Sequence, residues 1–135
     1  MLVDEPRTPA IRALLDDDPA MLVWWGTEVE CVSAIARLER GEAITARVVR
    51  RGIDRLEAFA ADWREIDLAT SVRGTALRAV RIHPLRAADA FQLAAAIEGS
   101  ERNPDSLPFV TLGRRLARAA ELEGFNVIEP EARAR

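Results

Sequence analysis

The sequence predicts an α/β fold in which helices flank a mostly parallel sheet. Three observations lead there. Short apolar runs of strand length alternate with longer stretches of helical periodicity. That alternation continues along the whole chain, and alternating strands and helices build parallel sheets covered on both faces. The length, 135 residues, fits one domain. We take it as residues 1–130, with 131–135 expected to fray.

The elements follow in order. "TPAIRALLDDDP" reads as a short helix after Pro6, closed by an acidic turn and Pro19. "AMLVWW", Ala20 to Trp25, is an apolar run bounded by turn signals and predicts a buried strand. Thr27 has the character of an N-cap, and Glu30 three residues later gives a capping-box spacing. The helix "TEVECVSAIARLER" then runs to Gly41. It is apolar on nearly every side, which predicts that it is buried. From Glu42 to Trp63 the residues Val49, Ile53, Leu56, Ala60 and Trp63 recur at alternating four and three, the spacing of an amphipathic helix. "REID" is a short strand candidate. "LATSVRGTALRAV" predicts a helix weakened by Gly74. Pro84 turns the chain at His83. A helix over Leu85 to Ile97 comes next, then the loop "GSERNPDS" and the strand "LPFVTL". "GRRLARAAELEG" predicts a helix closed by Gly124, and "FNVIEP" a last strand.

Composition narrows the function classes. Hydrophobic residues make up 49% and charged ones 30%, an ordinary balance for a soluble globular protein. Cys31 is the only cysteine, so no internal disulfide is possible, which fits a reducing compartment. No apolar run has the length of a membrane span, and the N-terminus has no signal-peptide core. These features predict a cytoplasmic protein. The net charge of −3 gives no general basic signature. All 19 basic residues are arginine. A GC-rich genome explains this, and so does bidentate phosphate binding. Composition does not separate the two.

Asp89 is the sharpest single signal. It sits within "LRAADAFQLAAAI", where Leu85 and Leu93 share its helix face. A carboxylate in an apolar setting must be paired, protonated or bound to a cation. One reading is an ion pair with Arg86, or a charge favoured by the helix dipole. The other is a metal ligand or general base. Glu30 is the second candidate, with the capping box as its structural reading. His83, the only histidine, rules out a histidine-rich zinc site and reads as a turn residue. Cys31, Trp24 and Trp25 read as core packing. No phosphate-binding glycine loop, Ser-His-Asp arrangement or zinc knuckle is present.

Four segments together resemble the PIN-domain ribonucleases, in particular the VapC-type toxins of bacterial toxin–antitoxin pairs. "VECVSAIARLERG" resembles the family's Glu-bearing helix and matches Glu30 to an acidic position. "HPLRAADAFQLAAAI" is similar to the family's "LRAADALHLAAA" and matches Asp89 to another. "LPFVTLGRRLARAAELEGFNVI" resembles the C-terminal strand–helix–strand, and "LVDEPRTPAIRALL" the stretch after the family's first helix. The resemblance implies a three-layer sandwich and cleavage of single-stranded RNA with Mg²⁺ or Mn²⁺. It also implies a homodimer and a cognate antitoxin. Glu30 and Asp89 would be catalytic metal ligands with their carboxylates close enough to share one ion. Arg86, Arg114 and Arg115 would be phosphate contacts.

Two departures stand out. The family begins with a strand carrying an aspartate, and no counterpart precedes Met1. A start codon assigned too far downstream is the favoured explanation. Gly113 stands where the family carries a further aspartate, and Asp105 precedes the strand and is a poor substitute. The expected function is therefore a metal-dependent endoribonuclease toxin that is weak or inactive as the chain stands. A PIN-like protein that only binds a partner, and an α/β domain whose Asp89 is salt-bridged to Arg86, are the competing expectations.

Overall fold

A computed structural model describes residues 2–131. The fold is α/β and mostly helical, with six α-helices and short strands. The helices are α1 (Thr8–Asp17), α2 (Thr27–Arg40), α3 (Ala46–Ala60), α4 (Thr70–Ile82), α5 (Ala87–Gly99) and α6 (Arg114–Leu122). The strands are β1 (Leu22–Trp24), β2 (Arg64–Ile66), β3 (Phe109–Val110) and β4 (Val127–Ile128). Of the expected tail, residues 132–135 lie outside the described part. Among the described residues, no helix is long and apolar enough to cross a membrane.

The strands form two separate pairs, β1 with β2 and β3 with β4. In the first, Arg64 N–H donates to Met21 C=O and Trp25 N–H to Ile66 C=O, the stepping of a parallel pair. The second is also parallel, with Phe109 opposite Val127 and Val110 opposite Ile128. The sequence pattern predicts strands buried on both faces, yet no strand residue is fully buried.

The chain divides into two compact units. The first contains α1, α2 and α3. Its buried residues are few: Thr8, Ile35, Leu56 and two glycines, Gly26 and Gly52. Gly52 lets the helices approach closely: a Cβ there would lie 3.3 Å from Ile35 Cδ1, and that side chain would have to give way. The helix α3 begins at Ala46 rather than Glu42. Residues 41–45 are used to reverse the chain: Glu42 takes a left-handed φ of 54°, and Ala43 N–H donates to Leu38 C=O.

The second unit spans Leu22–Trp25 and Glu65–Glu131. Here α4, α5 and α6 pack around one core formed by Val72, Ala76, Leu93, Ile97, Leu116, Phe125 and buried alanines. Alanine is small enough to let helix axes approach closely, and Leu93 is fully buried between them. Trp24 of β1 stacks on Phe91 of α5 with ring centroids 5.4 Å apart and planes within 6°. Gly124 follows α6 with φ +96°, the left-handed position a glycine tolerates, as its place in the sequence predicts.

One network locks α4 to α6. Nε2–H of His83 donates to Glu123 Oε1 at 2.7 Å, and Arg78 bonds the other carboxylate oxygen. Burial alone pushes the Glu123 carboxyl up. The hydrogen bonds from Arg78 and His83, with their charge, outweigh burial and hold it below the usual range. His83 caps α4 in extended backbone, as Pro84 dictates, and is buried. Its partner Glu123 lies forty residues away, so nothing local in the sequence signals the pair.

Candidate functional site

Asp89 stands in the first turn of α5, three residues after the N-cap Arg86. The backbone N–H groups of that turn and the helix dipole favour a carboxylate there. Among the described residues no side chain pairs with it. In particular, Arg86 does not. The competing reading of an Arg86–Asp89 ion pair does not hold: Arg86 is exposed and serves as the backbone cap of α5.

Asp89 lines an open cleft of about 430 Å³ with Gly113, Arg114, Arg115 and Leu116. Sequence positions separated by more than twenty residues are thus brought together. The cleft forms where β3 hands over to α6, at the carboxyl end of a strand, the edge where open α/β folds bind ligands. Gly113 is the N-cap of α6, and its N–H donates to Thr111 Oγ1 at 3.1 Å. The first helical bond runs from Ala117 N–H to Gly113 C=O. The N–H groups of Arg114, Arg115 and Leu116 have no partner within the helix. Neither arginine forms an ion pair among the described residues.

The cleft therefore sets one carboxylate against two guanidinium groups. That donor set does not fit Mg²⁺ or Mn²⁺, which take several oxygen ligands. Among the described residues no three His, Cys, Asp or Glu side chains come together as a metal-binding group. The arrangement suits an anion with planar or tetrahedral oxygens, which arginine forks engage bidentately. Gly113 decides this balance. An aspartate there would give the cleft a second carboxylate. Asp105 does not supply one, since it lies exposed in the 3-10 turn Pro104–Ser106 before β3.

Glu30 belongs to the first unit, on α2. The capping box expected around it does not form. Gly26 is the N-cap, Thr27 is already helical, and no side chain caps the helix. The expected burial of α2 is also corrected. Ile35 is its only buried residue, while Val29 is 69% exposed and Val32 41%. Cys31, Ala34, Ile35 and Leu38 form one stripe at helical spacing that is buried or half-buried, while Val29 and Val32 lie on the side that carries Glu28, Glu39 and Arg40. Cys31, half-buried beside Glu30, has its thiol pushed up by burial and by the charges of Glu30 and Glu28. It stays protonated at neutral pH and is no thiolate nucleophile.

No protein-family profile, no curated protein and no solved structure matches the chain.

Proposed function

We propose that the chain is a PIN-like protein that engages the backbone of single-stranded RNA at the Asp89 cleft, as a weak ribonuclease of the VapC type. One observation carries the reading: Asp89, Arg114 and Arg115 share a cleft at the carboxyl end of β3. Two guanidinium groups outside any ion pair and the open N–H groups of α6 are the chemistry that binds a phosphodiester. Asp89 is the group that would orient a water or accept a proton beside it. In this reading cleavage is the weaker half, because a single carboxylate makes no cation cage. The parallel pair β3–β4, joined through α6, is a unit that a PIN-like sandwich would contain. The protein partners would be a second copy of the chain and a cognate antitoxin.

The test uses labelled single-stranded RNA with the full chain. Replacing Arg114 and Arg115 by alanine should weaken binding by about tenfold or more. It should also lower the salt slope by about one for each phosphate that is no longer neutralised. Slow cleavage by the parent chain should vanish in Asp89→Asn while binding persists. Unchanged binding in the double arginine variant overturns the site. Binding without any cleavage by the parent chain favours the second reading, a PIN-like protein that acts by binding alone. Gly113 is the observation that supports that alternative.

A further inference from the structure

The outer face of α4 has no covering in the second unit. The inner face, Val72, Thr75, Ala76 and Ala79, is buried. Helix α4 packs on α5, and Thr75 Oγ1 donates to Glu98 at 2.9 Å. On the other side Leu77 is 61% exposed and Val80 41%. A single exposed leucine is ordinary. Here two apolar residues lie three apart on one face, and Arg73 and Arg81 lie four residues to either side of Leu77.

The charge on that face has one sign. Helix α4 carries Arg73, Arg78 and Arg81 and no acidic residue. Arg78 is held by Glu123. Arg73 and Arg81 form no ion pair among the described residues. A second copy is a poor occupant. Two α4 helices packed antiparallel about Leu77 would set Arg73 of each against Arg81 of the other, and like charges disfavour that interface. A nucleic-acid strand satisfies the arginines and leaves Leu77 and Val80 uncovered.

We propose that this face docks an acidic amphipathic helix of a partner protein. Apolar residues of the partner would cover Leu77 and Val80, and its carboxylates would reach Arg73 and Arg81. Helix-in-face docking with a charged rim has this form. The proposal stands apart from the ribonuclease reading, because no residue of the Asp89 cleft takes part.

The experiment titrates the full chain with two synthetic helical peptides. Both carry the same leucine stripe, one flanked by glutamates and the other by lysines. The glutamate peptide should bind at least about tenfold more tightly, with the difference shrinking as salt rises. Leu77→Asp should weaken it by about tenfold, and Arg73→Glu with Arg81→Glu should reverse the preference. These positions are exposed, so circular dichroism should show each variant folded. Equal affinity for the two peptides, or binding untouched by Leu77→Asp, overturns the proposal. So does a dimer in sedimentation that Leu77→Asp dissolves, which assigns the face to a second copy. Displacement of the peptide by oligouridylate that fails against Arg73→Glu with Arg81→Glu assigns it to RNA instead.

Discussion

Helices α2 and α5 read alike and fold differently. Both are rich in apolar residues, and each carries one of the two candidate carboxylates, Glu30 and Asp89. In α5 five residues are buried; in α2 only Ile35 is. After Asp89 the helix α5 has no charge until Glu98, so every side of it can enter a core. In α2 only the stripe Cys31, Ala34, Ile35 and Leu38 is buried or half-buried, and Val29 and Val32, set among Glu28, Glu39 and Arg40, stay exposed. Burial follows the gaps between charges more closely than the apolar count. The same contrast separates the two units, one with a continuous alanine-rich core and one with isolated buried residues.

The largest effect should come from the cores themselves. Leu93→Ala, at a fully buried position of α5, should cost about 2–5 kcal/mol. Val29→Ala on α2 should stay within about 0.5 kcal/mol. Urea unfolding of both variants measures the gap, and equal losses would break the contrast.

Two carboxylates that each hold two basic side chains sharpen it. Glu123 is mostly buried, whereas Asp4, 3.5 Å from Arg12 and 3.7 Å from Arg55, is widely exposed. Glu123→Gln should cost about 1–3 kcal/mol, because His83 and Arg78 lose a charged acceptor. Asp4→Asn should cost at most about 1 kcal/mol. The pH dependence has a definite sign. Because folding holds the Glu123 carboxyl below its ordinary value, its contribution is full above the unfolded pKa. It is lost as the pH falls through the folded one. Melting curves across the acid range should show that loss in the parent chain and a shallower one in Glu123→Gln.

The smallest effects lie at two helix ends of matched geometry. Gly124 after α6 and Glu42 after α2 both take left-handed backbone. Gly124→Ala should cost about 1 kcal/mol, and Glu42→Gly should gain up to about 1 kcal/mol. Thermal midpoints moving in opposite directions would bear this out.

Local patterns in the sequence locate every element, because alternation, proline and glycine act over a few residues. Thr27 shows the limit of local reading: the first turn of α2 closes on Gly26 one residue earlier, so the capping box never forms. Asp89 is legible as a charge among apolar neighbours. Its companions in the cleft are visible only as separate arginines, and the convergence of Arg114 and Arg115 on Asp89 comes from the fold. Glu123 carries no signal at all in the sequence. Its role depends on His83 and Arg78, which only tertiary packing brings to it.

The separate strand pairs have a bearing on handling the protein at high concentration. Each strand has one paired neighbour among the described residues, so each offers an edge to other chains. Such edges template fibrils when they are long and flat. Here they run two or three residues, less than one repeat of a steric zipper. Edges this short give a fibril little to propagate from.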